Sequence, residues 1–166
     1  MFPTLAGNGG SAATVSHMAV DLGRIARSAT RAGSGVVSLT DNVPWLTAVS
    51  NDQSFDDCFA EQLRGPLRPG DLLIGISASG DSENLVRAFR LAQRRGAARL
   101  ALVGFDGGRL ARLATRRIWV DSQDYGIVES VHLFVAHLLR ELMSEGNVRQ
   151  PGRSVTSAAI AVGCEP

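Results

Sequence analysis

The stretch Asp71-Leu72-Leu73-Ile74-Gly75-Ile76-Ser77-Ala78-Ser79-Gly80-Asp81-Ser82-Glu83-Asn84 joins an apolar run to a Ser/Gly turn and then to a helical pattern. Asp71 to Ile76 lacks the polar alternation of a half-exposed strand, so it predicts a strand buried on both faces. The turn sets Ser77, Ser79 and Ser82 at the start of a helix that opens at Ser82. A helix N-terminus carries unpaired N–H groups and the positive end of the helix dipole, and with hydroxyls beside it becomes a seat for a phosphate. Ordinary turn formation and N-capping would use the same serines, so both readings stand at this point. There is no GxGxxG and no P-loop, which disfavours a dinucleotide or a nucleoside triphosphate.

Working outward, the same strand–turn–helix pattern recurs. Upstream, the short apolar segment Phe2 to Ala6 runs into Gly7-Asn8-Gly9-Gly10-Ser11, a second strand-to-helix turn with Ser11 as the expected N-cap. A helix to about Arg31 follows, with Val15, Met18, Ala19, Leu22 and Ile25 on one face. Residues 35–40 read as a buried strand, Trp45 to Val49 as a short helical piece, and Asn51 to Ser54 as the cap of a helix from Phe55 to about Leu63. Downstream, a helix from Ser82 to Arg95 buries Leu85, Val86, Phe89 and Ala92. Then come a strand at Leu100 to Val103, a helix from Gly107-Gly108 to Ala114, a strand at Ile118 to Val120 and a long helix from Ile127 to Met143. Residues 1–145 form one domain, and the small, polar residues 146–166 read as a flexible tail. Strands alternating with helices predict the α/β class: a five-stranded parallel sheet between two helical layers. Ligands bind such sheets beyond the C-terminal strand ends, where both Ser/Gly turns fall.

Composition narrows the function. The chain has 166 residues, is 45% hydrophobic and 20% charged, and carries a net charge of +1. That balance suits a globular domain with no bulk attraction to nucleic acid or to an anionic membrane. No apolar run approaches a membrane-spanning length and no signal peptide is evident, so a cytoplasmic protein is expected. The two cysteines, Cys58 and Cys164, have no metal or redox spacing. Every basic residue is arginine, which excludes Schiff-base chemistry and a Walker lysine.

Two helices carry candidate chemistry. His17 and Asp21 are four apart and share a face. Glu129 and His137 are eight apart on the last helix and roughly aligned, with His132 near Glu129 in angle. Two acid–histidine pairs fit a metal site of imidazoles and carboxylates, or an acid–base pair for proton transfer. The competing readings are a surface ion pair for His17 with Asp21 and a core histidine for His137. Asn51-Asp52 would either contact a sugar hydroxyl or cap a helix.

The order of motifs resembles the SIS (sugar isomerase) domains of the phosphoheptose isomerase type. The likeness runs through Gly7-Asn8-Gly9-Gly10-Ser11-Ala12-Ala13, His17, Ser50-Asn51-Asp52, Gly75 to Asn84, Gly104 to Gly108, and Glu129, His132 and His137. It covers residues 7 to about 143. The resemblance implies a flavodoxin-like fold, a homo-oligomer (tetramer or dimer) with sites at subunit interfaces, and isomerisation of sedoheptulose 7-phosphate to a heptose 7-phosphate. Carried over by position, Ser11, Ser77, Ser79 and Ser82 would hold the phosphate, and Asn8 and Asp52 the sugar. His17, Asp21, Glu129 and His137 would bind Zn2+ or another divalent metal, with Asp21 as general base and His137 as general acid. The sequence departs from the family at Asp21, where the base is glutamate; at Glu129, where glutamine is usual; and at Ala78, where a hydroxyl residue is common. It also lacks the family's N-terminal helical segment, from which altered assembly or an earlier start is expected. A non-catalytic sugar-phosphate-binding or scaffold protein is the alternative.

Overall fold

The structure, a computed structural model, describes residues 3–29 and 35–147. Within these, β1 (Pro3–Gly7), β2 (Val37–Ser38), β3 (Leu72–Ser77), β4 (Ala98–Val103) and β5 (Arg116–Trp119) form one sheet in the order β2-β1-β3-β4-β5. Every neighbouring pair is parallel, with Leu5 opposite Ile74 and Ile74 opposite Leu100 through the middle. The crossovers and the last segment are α1 (Gly9–Ala29), α2 (Val43–Asp52), α3 (Cys58–Arg64), α4 (Glu83–Arg94), α5 (Gly108–Leu113) and α6 (Tyr125–Asn147).

Strand side chains point alternately to the two faces, and two separate cores result. On one face Ala6, Leu73, Ala101 and Val103 pack with Phe59, Leu63, Leu85, Phe89 and Leu110 from α3, α4 and α5. On the other, Leu5, Ile74, Ile76 and Leu102 pack with Val15, Met18, Leu22 and Ile25 of α1 and Ala136 of α6. This is the expected three-layer α/β architecture. The strand order reverses direction between β1 and β3, the switch point at which such sheets open a ligand crevice.

Local expectations are corrected in several places. The 35–40 strand shrinks to Val37–Ser38, because β2 is an edge strand paired only to β1. The helical piece at Trp45–Val49 grows to Val43–Asp52, started by Asn42, whose side chain accepts the Trp45 N–H at 3.2 Å, and by Pro44 in the first turn. The helix expected from Phe55 is a 3-10 turn, Phe55–Asp57, capped by Ser54 and followed by α3. Ser11 is not an N-cap: α1 already begins at Gly9, so Ser11 lies inside its first turn. The end of the first helix near Arg31 and, apart from Gly146 and Asn147, the tail assigned to 146–166 lie outside the described residues.

Candidate functional site

The loops after β1 and β3 meet at the switch point and line an open cleft of ≈ 250 Å³. Asn8, Gly9, Gly10 and Ser11 form one wall. Ser77, Ala78, Ser79 and Ser82 form the other, and Tyr125 and Glu129 of α6 lie across the mouth. Ser77 Oγ accepts the Gly80 N–H at 3.1 Å and Ser79 Oγ accepts the Asp81 N–H at 3.3 Å. Accepting these bonds shapes the turn and leaves each O–H able to donate into the cleft. Ser82 occupies the N-cap position of α4, yet its side chain makes no capping hydrogen bond. The first turns of α1 and α4 thus open on one cleft edged with hydroxyls, an arrangement suited to an anion.

Further along α1 a second constellation forms. His17 Nε2 lies 3.4 Å from Asp21 Oδ2, and His137 Nδ1 of α6 lies 3.7 Å from the same oxygen. The two imidazoles meet edge to face, with ring centroids 4.8 Å apart. One ligand atom from each of the three residues falls within 4.8 Å of the others. A tetrahedral metal with bonds of about 2.0–2.1 Å would place its ligand atoms roughly 3.3 Å apart, so two imidazoles and a carboxylate with an open fourth position fit it. Both histidine side chains are half exposed, so His137 is not the core histidine that its apolar neighbours allowed. α6 presents it beside α1 instead.

Two further residues of the expected site lie elsewhere in the single chain. Glu129 stands over Gly10, where a Cβ would collide with its carboxylate, and so belongs to the hydroxyl-edged cleft. Eight residues of α6 separate it from His137, about 12 Å along the axis. Asp52 ends α2, is exposed, accepts the Asn51 side-chain N–H at 2.9 Å, and lines a different hollow with Trp45 and Gln53. The histidine that is buried is His132, at 0% exposure with both ring nitrogens unpartnered. Burial pushes its pKa down; the nearby Val103 backbone opposes this, but no bond of normal hydrogen-bond geometry forms between them.

The SIS domain family matches residues 4–104, which include both turns of the cleft. The phosphoheptose isomerase of a Nitratiruptor species is 40% identical over 142 residues, 85% of this chain and 75% of that protein. The chain belongs to the SIS domain family. The phosphoheptose isomerase of Akkermansia muciniphila is 42% identical over 138 residues, 82% of this chain and 72% of that one. Among solved structures, the phosphoheptose isomerase of Neisseria gonorrhoeae superposes with a TM-score of 0.79 at 32% identity, covering 87% of this chain and 77% of that one.

Two features of this SIS domain escaped the sequence. Tyr125 lies four residues before Glu129 on α6, a spacing that could have flagged it. Its ring packs edge to face on Phe105, centroids 4.7 Å apart. Phe105 has φ +48°, a left-handed conformation unusual outside glycine. It is pinned there by its own N–H donating to Ser122 O and by Trp119 Nε1 donating to its carbonyl, both at 2.9 Å.

The second feature is Arg109, which ties the Ser/Gly turn to the first turn of α5. It donates to Asp81 Oδ1 through its backbone N–H at 3.0 Å and its Nε at 2.9 Å, and to the Asp81 carbonyl and Glu83 through its Nη atoms. Hydrogen bonds from Arg109 hold the carboxyls of both Asp81 and Glu83 below their usual pKa values. Carboxyls depressed in the folded state contribute stability above their unfolded pKa and lose it as pH falls through the folded value. Both are partly exposed, so the contribution is modest. Acid titration of Arg109→Gln, followed by thermal unfolding, is therefore expected to show less loss of stability below about pH 4.5 than the parent shows. Equal losses would mean that the pairing contributes nothing.

Proposed function

We propose that this SIS domain is an aldose–ketose isomerase that converts sedoheptulose 7-phosphate to D-glycero-D-heptose 7-phosphate through an enediol. The observation that carries this reading is the gathering of His17, Asp21 and His137 at one point of a fold that also builds a hydroxyl-lined anion cleft. The relatives' names as phosphoheptose isomerases support the choice of sugar.

Ser11, Ser77, Ser79 and Ser82 hold the phosphate and Asn8 takes a sugar hydroxyl; Asp52, which lines a separate hollow in the single chain, reaches the sugar only from a second copy. The Asp21 carboxylate removes a proton from C1 of the ketose while His137 donates one to the C2 carbonyl oxygen, leaving the enediol. His137 then takes the O1 proton as the C1 carbonyl forms, and Asp21 returns its proton to C2. No electrons are gained or lost overall. His17, Asp21 and His137, with Glu129 as a further ligand, would hold Zn2+ or another divalent cation, which when bound would supply Lewis-acid charge to the reacting hydroxyl and carbonyl oxygens.

The two halves of this site come from different copies of the chain. Asp21 is ten residues beyond Ser11 on α1, about 15 Å along the axis, so within one chain a seven-carbon sugar phosphate would have to be stretched almost fully to meet both. A second copy that brings its His17–Asp21–His137 group to the cleft closes that gap and brings Glu129 near the group. The apolar stripe Ile127, Phe134, Leu138 and Leu142 supports such assembly: these side chains lie along α6 and are 46–56% exposed. Incubation of metal-loaded protein with sedoheptulose 7-phosphate, with metal content assayed in parallel, tests the reading. Aldose product is expected; none, from protein that holds its metal, overturns it.

A further inference from the structure

We propose that Asn84 is a positioning residue that sets the amide of Asn8, so that Asn8 offers one N–H and one carbonyl lone pair to the sugar phosphate. The inference rests on the reading of the cleft as a phosphosugar site. Asn84 is 1% exposed at the start of α4, 76 residues from Asn8 in sequence. Their side chains form a reciprocal pair: Asn8 Nδ2 donates to Asn84 Oδ1 at 2.9 Å, and Asn84 Nδ2 donates to Asn8 Oδ1 at 3.0 Å. Asn84 Oδ1 also accepts the Leu85 N–H at 2.9 Å, and Asn84 Nδ2 reaches Cys58 Sγ at 3.6 Å.

A primary amide has two N–H groups and two carbonyl lone pairs. Asn84 uses all four inside the protein, so nothing of it is left for a ligand. The Leu85 N–H can pair only with an oxygen, which decides the end of the Asn84 amide that faces each half of Asn8. Asn8 in turn has half its capacity committed and half open, and it lines the cleft. An unpaired Asn8 could turn its amide over and exchange donor for acceptor. A paired one cannot turn without breaking two half-buried hydrogen bonds, at a cost of up to about 1–3 kcal/mol for each buried group left unsatisfied. The same pair fastens the turn after β1 to the turn after β3, so the two walls of the cleft keep their spacing.

A double-mutant cycle on the full chain tests this, with Asn8→Ala, Asn84→Ala and the double variant assayed on sedoheptulose 7-phosphate. Each single change is expected to raise KM about tenfold with a smaller change in kcat, and the double variant to be no worse than Asn8→Ala alone. Losses that multiply would overturn the proposal. Cys58→Ala, which removes one bond of Asn84 but leaves its pair with Asn8, is expected to keep KM. Should Asn84→Ala fail to fold, Asn84→Asp retains the shape and the Leu85 bond but turns a carboxylate oxygen toward Asn8 Oδ1, and the same cycle is run with it. The Asn8 side-chain amide signals in proton–nitrogen NMR report the pairing without any turnover. Their displacement in Asn84→Asp, with the backbone pattern otherwise kept, is expected. Unmoved signals overturn the positioning role even if the parent protein isomerises the sugar, whereas moved signals in a parent without turnover leave the pair standing and reject the isomerase.

Discussion

Asp21→Asn is expected to lower kcat by roughly 10²–10⁴-fold while the protein still binds inorganic phosphate. Asparagine keeps the shape and the place beside His17 and His137 but cannot accept the C1 proton. Metal content measured on the same preparation separates loss of the base from loss of the ion. The prediction also tests where the site is built. If the anion cleft and the His17–Asp21–His137 group of different copies work together, mixing Asp21→Asn with a cleft variant such as Ser82→Val regenerates intact pairings. Activity should then reappear in mixtures of two inactive proteins. A wholly inactive mixture, from variants shown to exchange subunits, would place both halves in one chain. A drop in kcat of less than a few-fold for Asp21→Asn would remove Asp21 from the chemistry.

Gly80→Ala is the second large effect, and it acts on structure first. Gly80 has φ +69°, and a Cβ there would run into the carbonyl of Gly107. A left-handed alanine costs about 1–3 kcal/mol, and backbone on backbone leaves no side chain able to rotate aside. The expected loss is about 2–4 kcal/mol, read from the urea midpoint. The Gly80 carbonyl accepts the Leu110 N–H at 2.9 Å, and the Gly80 N–H is the one that meets Ser77 Oγ. Displacing it therefore disturbs the hydroxyl-lined turn, and if that turn seats the phosphate as proposed, phosphate affinity should fall along with stability. An unchanged midpoint would show that the turn has slack that its packing does not suggest.

Much of the fold was legible because the patterns that encode it are local. The apolar run Asp71 to Ile76, the serines after it and the helical period from Leu85 to Ala92 each lie within one element. The same holds for the pairing of His17 with Asp21, four residues apart on one helix. Errors arose where a neighbour decided the outcome. β2 is cut to two residues because only β1 pairs with it. Which histidine of α6 would be buried was likewise open, since spacing along the helix does not say that His132 faces the core and His137 faces α1.

Glu129 shows the difference most clearly. Its angular spacing from His137 could be read from the chain, but the distance along the helix carries it to the other end of the site, over Gly10. Asn84 reads in sequence as one more polar residue opening a helix. Only the approach of the two turns, 76 residues apart, makes it the partner of Asn8. The sequence by itself determined the α/β class and the two Ser/Gly strand-to-helix turns, because local periodicity and turn chemistry suffice for these, and it offered His17, Asp21, Glu129 and His137 as candidates for proton transfer or metal binding. The tertiary structure alone decided which of those residues meet, because that depends on sheet order, helix direction and axial distance, which no local window contains.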